Sequence, residues 1–108
     1  MRINNRYELP TGVVNMVKSI CFDYERRARA IRYGSVCGEV LERYVMLNKA
    51  IEKGLESLDV DIRRDMLEDI CLCRGYDFSM VSVRLAKNTY YLRKKRVIWE
   101  IAKALFLI

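Results

Sequence analysis

Basic, amide and hydroxyl side chains are concentrated between Arg84 and Arg96, a stretch that ends in four consecutive cations. Lysine and arginine neutralise phosphates, and asparagine and arginine make paired hydrogen bonds to base edges. A helix N-terminus also offers free backbone N–H groups to a phosphate. We therefore predict DNA contacts from Arg84, Lys87, Asn88, Thr89, Tyr90, Arg93, Lys94, Lys95 and Arg96.

The charge of the chain is distributed unevenly. The formal net charge is +6, and residues 75–108 carry seven basic and two acidic groups, whereas residues 55–74 carry three and six. A basic region of this kind is the electrostatic footprint of a protein that binds a polyanion. The alternative for the run of cations is a solvated helix face without a partner.

Aromatic residues accompany the basic stretch. Tyr90 and Tyr91 are adjacent, so one can pack inward while the other points outward. The alternative is that both are partly buried core residues. Trp99 is expected at an interface or partly in the core and away from the DNA.

Helical periodicity dominates the first half of the chain. Residues before about position 11 form an arm, and apolar residues from Val13 to Ile31 predict one long amphipathic helix. Its outer face is predicted to carry Lys18, Arg26, Arg27 and Arg29. Gly34 and Ser35 interrupt the pattern, and a second apolar stripe then predicts a helical hairpin over residues 12–56.

The second half predicts three further helices. One begins near Asp59 and ends at Gly75, and a short one is capped by Ser79, with Phe78 and Val83 as a hydrophobic staple. A turn near residues 86–88 leads into the last helix. The sequence thus predicts an all-α, five-helix single domain over residues 1–108, with a helix-turn-helix within residues 59–108.

Catalytic and metal chemistry is not indicated. Histidine is absent, and acidic residues between Asp59 and Asp69 are explained by helix-start electrostatics. Cys71 and Cys73 point to nearly opposite faces of a helix, which disfavours the alternative of a zinc site, so the four cysteines are interpreted as reduced thiols. We expect no enzyme activity, no cofactor and no metal.

The chain contains no apolar run of about 20 residues and no pattern of a secretory signal at its start. We therefore expect a cytoplasmic protein, in a bacterial host cell, that does not associate with a membrane.

Three parts of the last third of the chain resemble phage regulators of the ArpU and RinA type. They are the segment Gly75-Tyr76-Asp77-Phe78-Ser79, the run Leu85-Ala86-Lys87-Asn88-Thr89-Tyr90-Tyr91-Leu92-Arg93-Lys94-Lys95 and the pair Ile101-Ala102. In that family a basic, polar, Thr-Tyr-Tyr run opens the recognition helix. The resemblance covers about the last 35 residues, and Tyr24-Glu25-Arg26-Arg27 echoes the family loosely. It implies a sigma-factor-like helix-turn-helix and a role in transcription of phage or prophage genes.

Two classes of function follow from these patterns. The first is a transcription regulator that binds double-stranded DNA, with the N-terminal helices forming a homodimer or contacting RNA polymerase. The second is a phage-encoded interaction protein that binds and modulates a host protein, either a defence nuclease or RNA polymerase. A DNA-packaging subunit that assembles into a ring is a third alternative.

Overall fold

The computed structural model describes residues 7–108, and within that range the chain forms α-helices and short 3₁₀ turns without a β-strand. This confirms the all-α prediction. Residues 1–6 of the predicted arm lie outside the described residues. The α-helices are α1 (Thr11–Phe22), α2 (Tyr24–Arg32), α3 (Gly38–Leu55), α4 (Val60–Cys71) and α5 (Lys87–Ala104), with 3₁₀ turns at Tyr76–Phe78 and Met80–Val83.

The predicted first helix is in fact two helices. Asp23, with φ −93° and ψ 7°, separates α1 from α2. The break turns Arg27 towards α3, where it is only 3% exposed and donates to the Asn48 Oδ1 at 2.7 Å. The prediction that Arg27 lies on the outer face is therefore wrong, because periodicity was extended through a residue that interrupts the helix.

The predicted short fourth helix is only the four-residue 3₁₀ turn Met80–Val83. Ser79 does cap it, since its Oγ accepts the N–H of Val81 at 2.9 Å. Phe78 and Val83 are 78% and 79% exposed, so the predicted staple is not buried. The segment between α4 and α5 therefore differs from the regular first helix of a helix-turn-helix.

Helix α4 ends before Gly75. Cys73 has a positive φ of 54°, and the N–H of Arg74 donates to the carbonyl of Asp69 at 2.8 Å. This is the Schellman arrangement, which satisfies carbonyls at a helix end. Cys73 therefore occupies the position predicted for Gly75, and Phe106 has the same role after α5, with φ 59°.

The core lies where α1, α3, α4 and the second half of α5 meet, and its fully buried side chains include Ile51, Met66, Ile70 and Ile101. Gly54 sets the separation of α3 and α5. A Cβ atom there would lie 2.6 Å from Ile101 Cγ1 and 3.0 Å from the Val97 carbonyl oxygen. Only glycine therefore permits this approach without a shift of α5.

The four cysteines are free thiols. Burial raises the pKa of Cys21 to about 12, and burial also raises the pKa of Cys71, whereas Cys37 and Cys73 are exposed. Within residues 7–108, no three His, Cys, Asp or Glu side chains are grouped so that they could hold a metal ion. None of the described helices has the length and apolar character needed to cross a bilayer.

Candidate nucleic-acid interface

The first turn of α5 faces solvent. Lys87 and Asn88 are exposed, and Thr89 is half-buried. The N-cap residue is Ala86, whose backbone is extended and whose side chain cannot accept a hydrogen bond. Because the first N–H groups of a helix have no partner within it, this end can bind an anion.

Tyr90 points into the protein. Its side chain is fully buried, and its hydroxyl donates to Asp69 Oδ2 at 2.9 Å. Burial, followed by the hydrogen bond to Asp69, raises the pKa of Tyr90. This corrects the predicted site, since Tyr90 has no surface to offer to DNA. Tyr91 is 41% exposed and takes the outward position.

Lys94 is also partly withdrawn from solvent. Its Nζ donates to the carbonyl of Arg74 at 2.5 Å and lies 5.6 Å from the centre of the Tyr90 ring. Burial lowers the pKa of Lys94. The side chain therefore holds the segment after α4 against α5, and Lys94, contrary to the prediction, is not freely available to a phosphate.

The other cations differ in their partners. Arg84 pairs with Asp61, and Lys95 pairs with Glu8. Arg96 Nε lies 3.8 Å from Glu100 Oε2. Among residues 7–108, Arg93 has no ion-pair partner. Exposed ion pairs contribute only about 0–1 kcal/mol, so a phosphate can replace the carboxylate in each.

The outward face of α5 carries a subset of the predicted residues. Successive residues are about 100° apart around a helix, which places Asn88 and Leu92 at the centre of this face. Lys95 and Arg96 lie on its two sides, and both are exposed. Arg93 lies further round on the side of Arg96. The predicted cations thus surround the helix and do not share one side.

A groove of about 520 Å³ between α1 and α5 adds a lysine that was not predicted. Lys18 of α1 lines this groove together with Lys94, Lys95 and Tyr91. The sequence placed Lys18 on an outer helix face. Because the pairing of α1 with α5 joins distant parts of the chain, spacing alone gave no sign that these lysines meet.

The segment before α1 crosses the outward face of α5. The ring of Tyr7 meets the Trp99 ring edge-on, with centroids 5.5 Å apart, and Glu8 pairs with Lys95. Trp99 is half-buried, and Lys103 Nζ lies 5.1 Å from its ring centre. An acidic residue thus lies beside the candidate nucleic-acid surface.

No protein-family model, no curated protein and no solved structure matches this chain.

Proposed function

We propose that the protein binds double-stranded DNA through the outward face of α5. The observation that carries this proposal is the exposed Asn88 near the start of α5, with Lys87 beside it and Lys95 and Arg96 on the two sides of the same face. An α-helix fits the major groove of DNA, where its central side chains reach base edges and its flanking cations reach phosphates. In line with the ArpU and RinA resemblance, we further propose a cytoplasmic transcription regulator of phage or prophage genes.

Each side chain has a distinct role in this proposal. Asn88 pairs with a base edge, and adenine is the base that asparagine recognises best. Leu92, which is 47% exposed, packs against a thymine methyl group. Lys95 and Arg96 contact phosphates on opposite sides of the groove, which fixes the register of the helix without adding base specificity.

The approach to DNA differs from that of a regular helix-turn-helix. A four-residue 3₁₀ turn stands where the first helix would cross the DNA backbone. Arg84 follows this turn and is exposed. We therefore assign the phosphate contact of the missing helix to Arg84, which exchanges Asp61 for phosphate when DNA binds.

Base preference and salt dependence test the proposal separately. Selection from random duplex DNA should give a defined sequence for the natural protein, and Asn88→Ala should relax one position of it by about 1–3 kcal/mol. Lys95→Ala and Arg96→Ala should each reduce the slope of log affinity against log salt by about 0.9 and leave the sequence unchanged. Arg29→Ala, an exposed change on α2, is the control. A selection without sequence preference, with slopes unaffected by these variants, would overturn the proposal.

Removing the negative charge of Glu8 is expected to tighten DNA binding. Glu8→Gln frees Lys95 and removes repulsion between a carboxylate and phosphate, each worth roughly 0–1 kcal/mol at a surface. We expect affinity to rise about threefold to tenfold at low salt and the gain to shrink as salt increases. Fluorescence anisotropy with a labelled duplex measures this. Glu25→Gln is the matched control, and equal affinities for the two variants would contradict the role of Glu8.

The second candidate function is a phage-encoded interaction protein that binds and modulates a host protein. It is favoured by three exposed apolar side chains in the segment before α5, those of Phe78, Met80 and Val83. Such side chains mark contact surfaces when they are grouped. Affinity for DNA no higher than that of an unrelated protein of equal charge would favour this second function.

A further inference from the structure

The outward face of α3 has an ordered distribution of charge. Glu39 and Glu42 lie in its first half, Lys49 and Lys53 lie in its second half, and Met46 lies between them. Spacings of three, four and seven residues place all five on one side of the helix, and all five are exposed. Among residues 7–108, none of the four charged side chains forms an ion pair.

An apolar groove of about 900 Å³ runs beside this face, between α3 and the end of α5. Met46 is 55% exposed and Phe106, at the other wall, is 90% exposed. Phe106 also adopts a backbone conformation, with φ 59°, that side chains rarely take. The remaining apolar lining comes from Leu41, Val45, Ala50 and Ala104.

We propose that this face, formed by α3 and Phe106, binds a second copy of the same chain with the two α3 helices antiparallel. The two-fold axis passes near Met46, which is seven residues from both Glu39 and Lys53. Lys53 of one copy then faces Glu39 of the other, and Lys49 lies opposite Arg43, with Glu42 next to it. Two-fold symmetry forms each pair twice, with Met46 and Phe106 in the apolar centre.

The order of charges along α3 favours a second copy of the chain in the antiparallel orientation. An acidic half followed by a basic half is its own complement only when a second copy runs in the opposite direction. A parallel copy would place glutamate against glutamate and lysine against lysine, which is unfavourable. Arg43 is the one cation in the acidic half, and the antiparallel arrangement places it opposite Lys49, where the adjacent Glu42 offsets part of the repulsion.

The dimer face and the DNA-binding face lie near opposite ends of α5. Asn88 is in the first turn and Ala104 is the last residue, a separation of about 24 Å along the axis. Both faces can therefore be occupied at once. The dimer does not depend on DNA binding, so it can be measured in the absence of DNA.

Charge reversal on α3 tests the arrangement directly. Sedimentation velocity between about 1 and about 100 μM should show a dimer for the natural chain. Glu39→Lys with Glu42→Lys gives a wholly basic face, and Lys49→Glu with Lys53→Glu gives a face that is acidic except for Arg43, so each double variant should be monomeric. An equimolar mixture of the two should form a heterodimer. Glu25→Lys with Asp77→Lys, which adds the same charge at exposed positions away from α3, should leave the dimer intact.

A second variant separates dimer formation from folding. Phe106→Gly removes the exposed ring and relieves the unfavourable backbone conformation, so we expect a stably folded monomer. The natural chain remaining monomeric at the highest concentration would overturn the proposal. A mixture of the basic-face and acidic-face variants that fails to associate, or a Phe106→Gly protein that dimerises as tightly as the natural chain, would equally contradict it.

Discussion

Replacing Asp69 with alanine is expected to lower the free energy of unfolding by about 3–5 kcal/mol, because it removes one member of a buried charged network. Asp69 is 1% exposed and accepts hydrogen bonds from Ser79 Oγ and Tyr90 Oη. Its Oδ1 lies 3.5 Å from Arg74 Nε. Without the carboxylate, Arg74 Nε, already without a hydrogen-bond partner in the described structure, loses its nearby carboxylate oxygen, and the guanidinium keeps only its pair with Glu68.

Urea unfolding followed by circular dichroism measures this loss. The matched control is Asp61→Ala on the same helix, since Asp61 forms an exposed pair with Arg84 and such a pair contributes about 0–1 kcal/mol. If both variants lower the free energy of unfolding equally, the network around Asp69 contributes no more to stability than an exposed ion pair. The Asp69 network also fixes the segment that leads into α5, so loss of these hydrogen bonds should disturb the proposed DNA-binding face before the whole domain unfolds.

Gly54→Ala is expected to destabilise the protein by about 1–3 kcal/mol, although alanine favours helices more than glycine does. The added methyl group would lie 2.6 Å from Ile101 Cγ1 and 3.0 Å from the backbone oxygen of Val97. Ile101 is fully buried, so its side chain cannot swing out into solvent. The clash is relieved by repacking Ile101 or by moving α5 away from α3, and either change is unfavourable.

Gly12→Ala, the same substitution at another helical position, is expected to stabilise the protein. Nothing lies within 4 Å of a Cβ at Gly12, and its position inside α1 suits alanine, so stability should rise by about 0.4–1 kcal/mol. Thermal unfolding of the two variants side by side measures the difference. A Gly54→Ala protein as stable as Gly12→Ala would mean that α3 and α5 do not approach as closely as described.

Local patterns predicted the helices that periodicity defines well. The apolar stripe from Val40 to Leu55 corresponds to α3, and the cap at Ser79 forms as predicted. The break at Asp23 was not visible, because α1 and α2 continue nearly the same apolar spacing on both sides of it. The helix predicted after Ser79 is too short to gain from cooperative hydrogen bonding, and the chain forms a 3₁₀ turn there.

The sequence could predict which residues of the candidate site lie on one exposed helix, but not which of them have partners on other helices. Spacing placed Asn88, Lys95 and Arg96 on an exposed helix, which the structure also shows. It could not show that Tyr90 and Lys94 turn inward, because their partners Asp69 and Arg74 belong to an earlier part of the chain. Lys18 and Glu8 were missed for the same reason, since tertiary contacts bring them to α5.

The edge-on contact between Tyr7 and Trp99 gives the protein a built-in optical reporter. Trp99 is the single tryptophan of the chain, and its ring is covered by Tyr7 on one part and by Lys103 on another. Lifting the N-terminal segment would hydrate the indole and shift its emission to longer wavelength. Unlabelled protein can therefore show by fluorescence whether a duplex displaces that segment.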